Sequence, residues 1–406
     1  MDGNVIWYKV FDGPGNDQAF GITYDSQGNI YISGSNEEQL IFSRDTLARG
    51  GFLAKFDADG NVLWAKNKFR FQGHSGSSYP YTEVDAVYML YSNSSIIING
   101  VAQNDTIIVD TATFINGNAY NSSFLASFNQ QGDFQWMYLM GGPSGICGSS
   151  FAIDTNNNYY ISGVIERKGY FGNDTLITPG LDMDCFLAKY SSSGQLIWVK
   201  STQGSVMAWG FAVSSSKDGN IYYSGSFRGE VHFGETTLTS SPNSEDMFLA
   251  KYSPEGDFMG ARQYHSGRIL GICFDPDNNI CFTGDYYDTL TFGTNTLYQH
   301  GQGDYFVAKC SPISSGIFSP QASENELIIY ANPTSGISNI TIPDDFLNER
   351  NLSLYIYDAN GRLIQNVPIL LNSSTIKFDI KARATGIYSA TLTNGKKRYT
   401  GKIIFK

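Results

Sequence analysis

The residues of this 406-residue chain that could carry chemistry are few in kind. Its four histidines are His74, His232, His265 and His300, and none stands at metal-ligand spacing from another His, a Cys or a Glu. Aspartates are plentiful, but Asp25, Asp154 and Asp275 recur at one place in a repeated turn, which reads as turn capping before catalysis. Asp57-Ala58-Asp59-Gly60-Asn61 opens like a calcium loop, yet the twelfth position, where a chelating Glu belongs, holds Lys68. The matching segments Asn129-Gln130-Gln131-Gly132 and Ser191-Ser192-Ser193-Gly194 lack those acids, so a tight turn explains the pattern. Neither a nucleophile elbow nor a phosphate loop occurs. The expectation is a chain without metal, cofactor or catalytic residue.

Five cysteines, at 147, 185, 273, 281 and 310, are too sparse for a disulfide framework. Cys273 and Cys281 flank Asp275-Pro276-Asp277-Asn278-Asn279 symmetrically and should face each other across a hairpin. A cross-strand disulfide and a pair of small half-buried thiols both fit; packed thiols are the more ordinary state.

Composition narrows the class further. Only 16% of residues are charged, 14% are aromatic and 43 are Gly, a strand- and turn-rich balance. The 38 acids outnumber the 27 bases, and a net charge of -11 would repel a phosphate backbone, which excludes nucleic acid as a partner. The sequence has no apolar run long enough for a transmembrane helix.

What positions these residues is a repeat. The segment closing at Gly34 returns with its closing glycine at Gly100, Gly163, Gly225 and Gly284. A second segment, Phe52-Leu53-Ala54-Lys55-Phe56-Asp57-Ala58-Asp59-Gly60-Asn61-Val62-Leu63-Trp64, returns from Phe124, Phe186 and Phe248, and in part from Phe306. Each copy holds four short runs of strand character, so each is a four-stranded meander. Turns such as Asp25-Ser26-Gln27-Gly28 and Asp275-Pro276-Asp277-Asn278 suit a type I turn followed by a left-handed residue. A shorter signature, as in Phe171-Gly172-Asn173-Asp174-Thr175-Leu176, lets the second strand turn outward before the third returns. Units of about 60 residues cannot bury both faces alone, and radial stacking solves that, which predicts a β-propeller of about five four-stranded blades. The fifth copy lacks a fourth strand, whereas Gly3-Asn4-Val5-Ile6-Trp7-Tyr8-Lys9 matches a fourth strand without the other three. Residues 4–10 are therefore expected beside 304–310, closing a ring.

Ligands of such rings gather where the loops between blades converge. The aromatic and polar residues of those loops, His74, Tyr79, Tyr81, Trp209, Tyr264, His265 and Arg268, are the candidate binding residues for a sugar or a peptide; the alternative is that each packs against its own loop.

These units resemble the bacterial β-propeller repeats, a family of secreted and surface proteins. The last 80 residues differ in character, and their motifs fall in a fixed order: Asn332-Pro333-Thr334-Ser335-Gly336, Asp358-Ala359-Asn360-Gly361, Gly386-Ile387-Tyr388 and a terminal Lys402-Ile403-Ile404-Phe405-Lys406. In that order and place they resemble the type A sorting domain of type IX secretion in the Bacteroidetes. Ala331 departs from the family, which usually has Pro there. The residues themselves predict about seven short strands in a small immunoglobulin-like sandwich. The resemblance implies an address read by the outer-membrane translocon and cut off by a sortase-like peptidase, with the protein at the outer-membrane surface or outside the cell. Such cargo needs a signal peptide, and Met1-Asp2-Gly3-Asn4 has neither a basic nor an apolar region, so an incomplete N-terminus is expected.

The expected organisation is a propeller over 1–312, a linker over 313–326 and the sorting domain over 327–406. The expected function is a non-catalytic binding or adhesion module with an extracellular glycan or protein ligand. The alternative is a secreted polysaccharide hydrolase or lyase, which would need two carboxylates on one face of the ring.

Overall fold

The structure, a computed structural model, describes residues 3–406 apart from 44, 73–83, 93, 103–105, 116–121, 179–182, 205, 242–243, 293–294, 312–326, 328, 331–333, 335, 344–345, 347–351, 359–361, 370–374, 380–384 and 395–397. The chain is all-β and divides into two compact units, 1–318 and 319–406. Among the described residues no helix is long and apolar enough to cross a membrane.

The larger unit is a row of propeller blades. The first blade pairs Asp17–Tyr24, Ile30–Asn36, Gly50–Phe56 and Val62–Gln72 in order, each strand antiparallel to the next. The same meander recurs in the second, third and fourth blades, beginning at Val84, Ile146 and Met207. Three strands are described in the fifth: Gly267–Phe274, Ile280–Tyr286 and Asp304–Cys310. The expected turns form, because Gly28, Asn157, Gly219 and Asn278 all adopt φ between 61° and 81°.

The core lies between blades. Tyr31 and Leu53 of the first blade pack with Ile96, Ile98 and Phe124 of the second, and Tyr222 and Leu249 of the fourth with Ile280, Phe282 and Phe306 of the fifth. Period-two alternation makes this inevitable, since one face of each sheet serves each neighbour. The outward signature between second and third strands forms a two-stranded ribbon that reaches back to the preceding blade. Phe69 pairs with Val109 of the ribbon Thr106–Val109 and Ala112–Ile115, and Met140 pairs with Phe171 of the next ribbon.

A second link runs the same way. Trp64 lies on Gly132 of the following blade, Trp136 on Gly194 and Trp198 on Gly256, each glycine at positive φ in the turn between third and fourth strands. A Cβ on Gly132 or Gly194 would stand 2.7 or 2.6 Å from the indole, so only glycine fits on both counts. Trp198 also donates from Nε1 to the Pro254 carbonyl at 3.2 Å.

The expected pairing of residues 4–10 with 304–310 is not made. Residues 3–10 form no ladder, and Asp304–Cys310 pairs among the described strands with Ile280–Tyr286 alone. The segment is held instead by the blade it leads into. Trp7 sits on Gly60, its Nε1 donates to Ala58 O at 3.0 Å, and Phe11 stacks on Phe42 at 4.3 Å. Trp7 thus acts as a fourth-strand tryptophan toward the first blade, without a sheet of its own. Tyr305 and Val307, 85% and 79% exposed, mark the uncovered face of the fifth blade, and Ile22 and Tyr24 that of the first.

In the smaller unit a three-stranded sheet (Ile329–Tyr330, Ile337–Thr341, Thr375–Asp379) and a four-stranded sheet (Leu363–Ile369, Leu352–Asp358, Gly386–Thr393, Arg398–Phe405) share one core around Ile340, Leu354, Phe378, Leu392 and Ile403.

Within the blades a polar cluster recurs at the first turn. Buried Asp25 accepts hydrogen bonds from the Gln27 and Asn29 amides and from the Tyr31 hydroxyl at 3.0 Å, with Lys55 Nζ 3.7 Å away and over the Tyr31 ring. Asp154, Tyr160 and Lys189 repeat it; in the second blade Ile97 and Ser127 replace Tyr and Lys together. Asp57 makes the same backbone bonds in the open. Asp25→Ala should therefore cost about 2 kcal/mol or more, because it removes a buried acceptor from the Tyr31 hydroxyl and a counter-charge from Lys55, and Asp57→Ala clearly less. Equal shifts of the urea midpoint would show that the Tyr–Lys pair contributes nothing.

Candidate functional site

Connections between blades and those between second and third strands emerge on the same face of the array, and its described polar centre lies between the fourth and fifth blades. The element that shapes it is Asp246, the first residue of the strand Asp246–Tyr252 and fully buried. Its Oδ1 accepts from Ser244 Oγ at 3.0 Å and the Ser266 amide at 3.1 Å. Its Oδ2 accepts from Gln263 Nε2 at 2.7 Å, the Ser241 amide at 3.2 Å and His265 Nδ1 at 3.1 Å. One carboxylate thus ties the second-to-third connection to the inter-blade loop. Burial alone would raise its pKa, but the bonds from His265, Ser266 and Gln263 outweigh that and hold it below the usual carboxylate value. The hydrogen bond to Asp246 raises His265 in turn, against its partial burial.

Beside this brace, Arg268 forms a forked pair with Asp285 (Nε–Oδ1 3.0 Å, Nη2–Oδ2 2.5 Å) and lies over the Tyr287 ring, whose hydroxyl also donates to Asp285 at 3.1 Å. Glu245 accepts from Ser226 Oγ at 2.5 Å and faces Arg228 at 3.7 Å, near enough to Arg268 and Tyr287 to act on both. This face can offer a guanidinium, a phenol ring and an imidazole to a ligand. Among the described residues no group of three His, Cys, Asp or Glu side chains could hold a metal ion.

Of the residues singled out by sequence, the structure brings His265 and Arg268 to this face, although Arg268, expected in an inter-blade loop, is the second residue of the strand Gly267–Phe274. Trp209, expected in an inter-blade loop, stands inside the strand Met207–Ser215 opposite Ser226. Tyr264, also expected in a loop, ends the strand Phe258–Tyr264 and packs against Phe282 and Phe292 at 5.9 and 5.0 Å; burial pushes its hydroxyl up to about 12. His74, Tyr79 and Tyr81 lie outside the described residues, as does the expected linker 313–326. Sequence reasoning missed Asp246 and its counterparts Asp184, which accepts from the Gly204 amide at 2.6 Å, and Asp304, which accepts from the His300 amide at 2.7 Å. The signal was present: each stands two residues before the repeated Phe186, Phe248 or Phe306.

The second site is the chain's end. Thr334 and the final strand bind each other through Thr334 N to Ile404 O at 2.8 Å and Lys406 N to Thr334 O at 3.0 Å, and Thr334 Oγ1 accepts from the Gly336 amide. Tyr388 is buried in the same core, and the Asp358 hairpin closes through Arg362 N to Asp358 Oδ1 at 2.9 Å. Asn332, Pro333 and Gly361 lie outside the described residues, while Gly386 opens the strand Gly386–Thr393. Residues 328–406 match the family of the secretion system C-terminal sorting domain.

This segment is a type IX sorting domain. It marks the protein for export to the cell surface or beyond. The chain is also similar, at 24% identity over 381 residues, to an uncharacterized WD repeat-containing protein, L264, of Acanthamoeba polyphaga mimivirus; 70% of this chain is covered but only about a quarter (26%) of that relative's length. Among solved structures, the Dos1 propeller is matched with a TM-score of 0.34 at 11% identity over 75% of this chain and 70% of that one. The GH43 BlXynB protein from Bacillus licheniformis is matched with a TM-score of 0.29 at 9% identity over 95% and 86%.

The brace makes stability depend on pH with a definite sign. A raised histidine pKa contributes stability that is complete below the ordinary 6.5 and is lost as pH rises through the folded value. Melting temperature should therefore fall between about pH 6 and about pH 9 by more in the wild type than in His265→Gln. Parallel curves would show that the His265–Asp246 contact is not ionic.

Proposed function

We propose that the blade array is a non-catalytic binding or adhesion module and that the sorting domain delivers it, the translocon reading the C-terminal unit and a sortase-like peptidase removing it within residues 313–326. The observation that supports binding is the chemistry of the face between the fourth and fifth blades. Its buried carboxylate, Asp246, is held ionised by five donors, the opposite of the protonated state a general acid needs. Arg268, in the strand Gly267–Phe274, and Tyr287, just after the strand Ile280–Tyr286, sit partly exposed above that brace, an arrangement suited to stacking on a sugar ring or holding a peptide.

A second reading is a secreted polysaccharide hydrolase or lyase. Glu245 and Asp285 favour it, because both acids flank Arg268 and Tyr287 on one face.

Glycan and extracellular-matrix arrays separate the two. Tyr79→Ala, Tyr81→Ala and Tyr287→Ala combined should reduce retention at least about tenfold, and Tyr287→Ala alone should cost no more than about 1 kcal/mol of stability, since its exposed ring gives up one cation–π contact and one hydrogen bond. Tyr264→Ala should behave oppositely, costing about 3 kcal/mol through lost core packing. Unchanged retention by the triple variant would place the ligand elsewhere. Turnover of a polysaccharide that disappears in Glu245→Gln or Asp285→Asn would establish the enzyme.

A further inference from the structure

The fifth blade carries a cross-strand pair that none of the other four has. In three blades a small residue of the first strand stands opposite a tyrosine of the second: Thr23 opposite Tyr31, Ala152 opposite Tyr160 and Ser214 opposite Tyr222. In the fifth blade both members differ together, and Cys273 stands opposite Cys281. The tyrosine that bonds the turn acid beneath the lysine in the first and third blades is absent, and Lys309 Nζ meets Asp275 directly at 2.5 Å.

We propose that Cys273 and Cys281 are joined by a disulfide in the exported protein. Directly opposed residues of an antiparallel pair have Cα atoms about 4.5–5.5 Å apart, inside the range a disulfide bridges without moving backbone. Their side chains share one face of the sheet, and burial together with the neighbouring Cys281 raises the pKa of the Cys273 thiol. Cys273 is exposed and Cys281 half-buried, so an oxidant can reach them. Cys310 is no competitor: it stands opposite Ile280, one register step from Cys281, and therefore points to the other face. The sorting domain takes the chain out of the reducing cytoplasm, where disulfides do not persist.

The chemistry is thiol–disulfide exchange with a disulfide-bearing oxidoreductase of the compartment outside the inner membrane. The exposed Cys273 thiolate attacks one donor sulfur and displaces the other as a thiolate. Cys281, deprotonated in turn, attacks the Cys273 sulfur of the mixed disulfide and releases the second donor thiolate. The pair loses two protons and two electrons, and the donor gains them as two thiols. The product staples the hairpin Gly267–Phe274 to Ile280–Tyr286 on the face that also exposes Tyr305 and Val307.

The test equilibrates the full chain in a buffer of oxidised and reduced glutathione, denatures it in iodoacetamide without reductant and determines its mass and peptides. The expected result is alkylation of Cys147, Cys185 and Cys310 only, with one linked peptide pair joining Cys273 to Cys281. All five cysteines should be alkylated after reduction. Cys273→Ser should then show alkylation of all four remaining thiols, and the wild-type result decides the matter even if that variant folds poorly. Alkylation of all five without reduction, or a linked peptide containing Cys310, would overturn the assignment.

Discussion

The first four blades are each completed by a tryptophan that precedes them in the chain. Trp64, Trp136 and Trp198 each lie on a left-handed glycine of the following blade, and Trp7 does the same for the first. The contact is demanding on both sides. The turn needs positive φ and the indole needs bare backbone, so glycine is required twice over, and the indole Nε1 of Trp7 and of Trp198 finds a carbonyl two residues before that glycine. Returning ribbons add a second link between consecutive blades, and the apolar cores lie in the seams. Where the series stops, both halves of the contact are missing: Gly260 stands at the tryptophan position of the fourth blade and Ser314 at the glycine position of the fifth.

This directional order explains where function can reside. Positions within the blades are committed to seams, turns and the Asp–Tyr–Lys clusters. The loops of one face are left to vary, and Asp184, Asp246 and Asp304 fix them to the starts of the third strands. A ligand would therefore meet side chains whose backbone is already ordered, which lowers the entropic cost of binding.

Much of this was legible in the residues because identity dictates conformation locally. Gly28, Asn157, Gly219 and Asn278 announced left-handed turns, and repeated Phe and Trp positions announced the strands. The sorting motif was legible for the same reason, its turns being punctuated by Pro333, Gly336 and Asp358. What sequence spacing does not encode is which neighbour a side chain serves. Trp7 reads as a strand completing the fifth blade and yet anchors to the first, because the carbonyl its indole bonds lies in a turn 51 residues downstream. Tyr264 reads as a loop aromatic and yet fills a seam, because a strand's last residue and a loop's first look alike without their ladder. Asp246 was passed over because a lone acid before an apolar strand has no meaning until five donors converge on it.

The interlock has a consequence that separates it from ordinary core packing: removing a tryptophan should loosen the next blade before its own. Amide hydrogen exchange of Trp136→Ala measures this directly. The account predicts lost protection at the turn of the third blade, where Ser191 N bonds Gln195 O and Gly194 N bonds Ser191 O, while the corresponding turn of the second blade, Asn129 N to Asp133 O, stays protected. Loss confined to the second blade, or spread equally over both, would contradict it.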